Sequence, residues 1–101
     1  MPKELFIINL TYKKDIAAID ELMKVHVTYL RKYYKLNKFI VSGRQVPRKG
    51  GIILCYAGSV KEVESIVEED PFVQQGAATY KIITFNASMS SSNFKLLLDE
   101  L

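Results

Sequence analysis

The chain has 101 residues, 49% of them hydrophobic and 25% charged, with a formal net charge of +3. That is enough for one domain with a two-layer core, too apolar for a disordered chain, and too weakly basic to demand a nucleic-acid partner. No apolar run approaches the roughly 20 residues of a membrane span, and the charged start Pro2-Lys3-Glu4 leads into strand-like sequence rather than a signal-peptide core, so a cytoplasmic protein with no membrane partner is expected.

Glu4 to Leu10 is a nearly continuous apolar run of strand length, as in a central strand covered on both faces. From Asp15 to about Leu36 the spacing becomes helical, with Ile19, Leu22, Met23, His26, Leu30 and Tyr33 on one stripe. Asn37 suits the left-handed residue that closes a helix, and Lys38 to Ser42 reads as the second strand. Gly43 to Gly51 is a polar, basic loop, and Ile52 to Ala57 the third strand. The single cysteine, Cys55, cannot form an internal disulfide and is read as a buried thiol in that strand.

Ser59-Val60-Lys61-Glu62 matches a capping box, with Glu62 reaching back to the Ser59 N–H, and opens a second helix. That helix stops at Asp70, because Pro71 pushes the residue before it toward extended geometry and brings no donor. Asp70 can cap a short following turn, with Pro71 at its first position and Gly76 at its end. Ala77 to Phe85 is the fourth strand, with Tyr80, Ile82 and Thr84 on one face and Lys81, Ile83 and Phe85 on the other. Beyond residue 87, a serine-rich linker leads to Phe94, Leu97, Leu98 and Leu101, spaced as a short amphipathic helix that must dock on something.

The order β-α-β-β-α-β predicts an α+β, ferredoxin-like domain over residues 1–87: an antiparallel sheet with both helices on one face, followed by linker and terminal helix over 88–101. The other sheet face is then left bare, and a second copy of the same sheet is its simplest cover, giving a homodimeric α+β barrel.

Several segments resemble the YCII-related family of the dimeric α+β-barrel superfamily. They are His26-Val27-Thr28-Tyr29-Leu30, Phe39-Ile40-Val41-Ser42-Gly43, Ser59-Val60-Lys61-Glu62 and, most specifically, Asp70-Pro71-Phe72-Val73-Gln74-Gln75-Gly76. The resemblance implies a pocket near the first-helix histidine and the Asp-Pro-Phe aspartate, here His26 and Asp70, and some relatives act on small chlorinated lactones. The chain departs from many relatives at Met23, where they carry arginine, and at Arg44, where they carry proline. A second resemblance, to the RNA recognition motif, rests on Leu5 to Leu10 and on Lys49 to Tyr56. There Gly51 and Ile53 stand where that family places base-stacking aromatics, so the surface on which RNA would stack is largely missing.

As chemistry, His26 reads as a general acid or base, since imidazole exchanges protons near neutrality, and Asp70 as the carboxylate that orients it. The plainer alternatives are a buried helix histidine with a satisfied hydrogen bond and a helix cap. Arg44 could hold a carboxylate and Ser42 could donate to a carbonyl, with Gly43 between them; otherwise they are a strand end and a loop charge. The basic residues Arg31, Lys32, Lys35, Lys38, Arg48 and Lys49, interleaved with Tyr29, Tyr33 and Tyr34, read as a solvated helix side with aromatic stems on the core, the alternative being a nucleic-acid face. One histidine and one cysteine cannot build a metal site, and no phosphate loop or nucleophile motif appears, so no metal or cofactor is expected. The expected function is proton transfer on a small organic molecule, of lyase or isomerase type; the competing class is a non-catalytic ligand-binding module, and RNA binding a third.

Overall fold

Alternation along β1 (Lys3–Tyr12) divides the molecule into two layers of unequal cover, in a computed structural model that describes residues 3–101. Met1 and Pro2, at the charged start of the expected domain, lie outside the described residues. Phe6, Ile8 and Leu10 point to one side and are fully buried; Leu5, Ile7 and Asn9 point to the other. β1 pairs antiparallel with β3 (Gly50–Tyr56) and with β4 (Ala78–Ala87), and β2 (Phe39–Arg44) completes the sheet beyond β3, in the order β2-β3-β1-β4. This is the ferredoxin-like split βαβ arrangement.

The helices follow from local chemistry. Asp15 caps α1 (Ile16–Lys35) by accepting the Ala18 N–H, at 2.9 Å. α1 ends in a Schellman motif: Asn37 takes φ 58°, its N–H donates to the Tyr34 carbonyl, and the Lys38 N–H donates to that of Tyr33. Ser59 caps α2 (Val60–Val67) through the Glu62 N–H, but Glu62 does not return to the Ser59 N–H as expected. One of its oxygens accepts from Gly58 N–H at 2.8 Å, while the other pairs with Lys38 at 2.8 Å, which draws the side chain one residue further back. α3 (Pro71–Gln74) closes at Gly76, whose φ of 68° suits a residue without a Cβ.

The main core lies between the sheet and α1 and α2, where Phe6, Ile8, Ile53 and Cys55 meet Tyr29, Tyr33, Val63 and Val67. The outer sheet face is only partly covered. A C-terminal helix, α4 (Ser92–Glu100), begins earlier than the apolar spacing indicates and lays Phe94, Leu98 and Leu101 against Leu5, Leu54 and Tyr56. Val41, Ile52, Ile83 and Phe85 stay exposed on that face. Gly51 and Ile53 stand opposite Leu10 and Ile8 on the helix side, so the positions that would offer stacking surface are Ile52, Leu54 and Tyr56, of which one is aromatic.

Glycine matters most at Gly50, where a Cβ would stand 1.8 Å from the Leu10 carbonyl oxygen, whereas a Cβ at Gly43 meets nothing. Gly50→Ala is expected to cost about 2 kcal/mol or more, as overpacking against backbone does. Gly43→Ala is expected to stay within about 0.5 kcal/mol, as surface substitutions do. Urea denaturation of the two variants measures the difference.

Candidate functional site

The site is assembled from α1, α3 and the ends of β1, β2 and β3. Asp70 is placed by the helix break before Pro71: as cap of α3 its Oδ1 accepts the Phe72 N–H, at 2.9 Å. The same oxygen accepts a second hydrogen bond, 2.8 Å long, from Nδ1 of His26 on α1. Asp70 is 1% and His26 8% exposed, so the pair is formed in the interior. The cap of α3 and the hydrogen-bond partner of His26 are therefore one group. Its other oxygen, Oδ2, is buried with no hydrogen-bond partner among the described residues.

Two neighbours hold the imidazole plane. The Phe72 ring stacks on it, with centroids 4.0 Å apart and planes 13° from parallel, and Tyr29 lies 6.2 Å away on a tilted plane. Tyr29 donates to the Ile66 carbonyl at 2.7 Å, and burial, with the Asp70 charge second, raises its pKa well above the usual phenol range. The hydroxyl thus stays a neutral donor. Because Nδ1 donates to a carboxylate, the neutral ring carries its lone pair on Nε2.

His26 borders a cavity of about 170 Å³ whose apolar walls include Leu10, Met23 and Leu30. Ser42, Gly43 and Arg44 line the same cavity. The structure therefore brings four of the five candidate residues to one hollow and sets the fifth, Asp70, in contact with His26. Ser42 forms a short hydrogen bond with the Tyr34 hydroxyl, which fixes its position on β2. Arg48 is not a solvated charge: its guanidinium meets Asp20 at 2.6 Å, and the side chain is 23% exposed. The loop after β2 folds back toward the start of α1, and that closure is invisible in the local pattern. Phe72 was missed as a site residue. Its signal lay in its place after the capping aspartate, but its partner is a ring on another helix.

The other reactive group is inert. Burial, with the Glu62 charge second, pushes the Cys55 thiol up to about 12, and its side chain sits in the core. Among the described residues no group of three metal-ligating side chains occurs, and no helix is long and apolar enough to cross a membrane.

A ferredoxin-like α+β domain with a buried His–Asp pair beside a small cavity defines the class. The chain belongs to the YCII-related domain family, whose model matches residues 5–86. Among solved structures it is similar to 5-chloro-2-hydroxyhydroquinone dehydrochlorinase (TftG) from Burkholderia phenoliruptrix AC1100, in complex with 2,5-dihydroxybenzoquinone. The two share 22% identity and a TM-score of 0.65 over 89% of this chain and 97% of that one, a likeness of fold. No curated protein matches the chain.

Asp70→Ala removes a cap and leaves the His26 Nδ1–H and Phe72 N–H unpaired in the interior, so a loss of about 3 kcal/mol is expected in chemical denaturation. Asp70→Asn keeps an acceptor for both donors and is expected to lose only about 1 kcal/mol.

Proposed function

We propose that the protein transforms a small organic molecule by cofactor-independent proton transfer, with His26 as the group that moves the proton and Asp70 as the group that orients it. The observation that carries this reading is the 2.8 Å bond between His26 Nδ1 and Asp70 Oδ1 beside the cavity that His26 lines. Nε2 takes a proton from the ligand, and the electron pair left behind forms a new double bond. In an elimination the leaving group departs with its own bonding pair; in an isomerisation the proton returns at another carbon. The adjacent carboxylate stabilises the imidazolium that forms in between. Ser42, Gly43 and Arg44 form the sheet-side wall against which the ligand lies.

The reading includes residues 1–87 as the active domain, with 88–101 as linker and helix, and a homodimer in the cytoplasm. Exposed Val41, Ile52, Ile83 and Phe85 on one sheet face support the dimer, since a second copy of that face would remove them from water. A single buried thiol suits a reducing compartment. Sedimentation is expected to show a dimer for the wild type and a monomer for Ile83→Lys, which puts a charge into that face.

The solved neighbour is a dehydrochlorinase, so chlorinated hydroxyhydroquinones and chlorinated lactones make the first substrate panel. Release of chloride or loss of ring absorbance is expected with the wild type and to fall about 100-fold or more in His26→Ala, the scale on which a lost general base acts. Ligand affinity in that variant should change little. Binding without turnover by the wild type on any member would instead assign a non-catalytic ligand-binding module.

A further inference from the structure

The lining of the cavity names the charge of what it holds. Arg44 is the one lining side chain among those described that carries a full positive charge, and no aspartate or glutamate is in the lining. Three cations outside the cavity are paired, Lys32 with Glu69, Lys38 with Glu62 and Arg48 with Asp20, and none of the three lines it. Arg44 makes no ion pair or side-chain hydrogen bond among the described residues.

Strand geometry sets where that charge points. Ser42 and Arg44 are two residues apart on β2 and so share a face. Ser42 stands opposite Ile53 and Arg44 opposite Gly51, and Ile53 is buried on the helix side, so Arg44 leaves the sheet toward α1. Across the same row, Gly51 stands between Arg44 and Leu10. A side chain there would occupy the space between them, so glycine leaves a flat backbone floor beside the guanidinium. Ser42, held by Tyr34, offers a hydroxyl next to it. The opposite wall is His26 on α1, with apolar side chains between. At about 170 Å³ the hollow has the volume of roughly five or six waters, room for one ring with few substituents.

Resting on the catalytic reading above, we infer that the ligand is a planar, single-ring monoanion, bound with its anionic group on Arg44 and Ser42 and its ring carbons toward Nε2 of His26. Arg44 binds the substrate and sets its direction. An anion at the sheet end places the carbon skeleton under the imidazole; a neutral ring of the same shape has nothing to fix which edge meets His26. A guanidinium also gives two parallel donors in the plane of a carboxylate or an enolate pair.

The test uses benzoate and benzamide, equal in shape and different in charge, titrated against the wild type and Arg44→Gln at low ionic strength. His26 is the only histidine in the chain, so its ring C–H resonances report binding in this cavity without ambiguity. Benzoate is expected to bind the wild type about tenfold or more tightly than benzamide, the scale of a charge-assisted hydrogen bond. In Arg44→Gln the two are expected to agree within about twofold, with benzamide affinity unchanged, and in Arg44→Lys a partial preference should remain. Equal affinities in the wild type, an unchanged preference in Arg44→Gln, or no displacement of the His26 signals by either probe would overturn the inference. Because binding needs no turnover, a retained charge preference without activity on any substrate overturns only the catalytic reading. Turnover without the preference overturns only this one.

Discussion

A single oxygen atom, Oδ1 of Asp70, joins the local and the long-range structure of this protein. Just past the end of α2 it starts α3 by accepting the Phe72 N–H, and it holds the imidazole of His26, which lies 44 residues away in the chain. Asp70 is buried, so the bonds form where water competes little, and an unpaired carboxylate there would cost several kcal/mol. α3 is therefore packed on α1 in one arrangement, with the Phe72 ring stacked against the imidazole. Nδ1 is committed to that contact, and the chemistry open to the ring is that of Nε2.

The two faces of the sheet carry different tasks. The helix side holds the main core, and beside the end of β2 and the start of β3 it opens into a cavity, where Gly51, opposite Arg44 and Leu10, puts no side chain. The outer side is apolar without a complete cover: α4 hides the end around Leu5 and leaves Val41, Ile52, Ile83 and Phe85 in solvent. The helix side thus supports the proposed chemistry, and the outer side the proposed assembly. A residue slip of one in β2 or β3 would exchange their side chains between the two faces, so strand register governs both.

Much of this was legible in the residues because it is set by neighbours in sequence. The Asp70-Pro71 break, the left-handed Asn37, the glycine end at Gly76 and the cap at Ser59 are all local backbone chemistry. The alternation of β4 told its two faces apart for the same reason. What escaped was set across the fold. The stacking of Phe72 on His26, the bond between Tyr34 and Ser42, and the pairing of Arg48 with Asp20 join elements whose separation no periodicity encodes. A register shift between Phe39 and Val41 likewise leaves Val41 on the outer face along with Ile40, which packs in the cluster beside α4, and simple alternation does not show this.

The central claim is that a buried carboxylate fixes which nitrogen of His26 carries the proton. Nitrogen-15 correlation spectra of the histidine ring read this directly, and with one histidine in the chain there is nothing to assign. The account predicts that the neutral form of the ring carries its proton on Nδ1, with a low-field Nδ1–H signal protected from exchange, and disturbed when Asp70 is replaced by asparagine. A ring protonated at Nε2, or one averaging between the two forms, would contradict it.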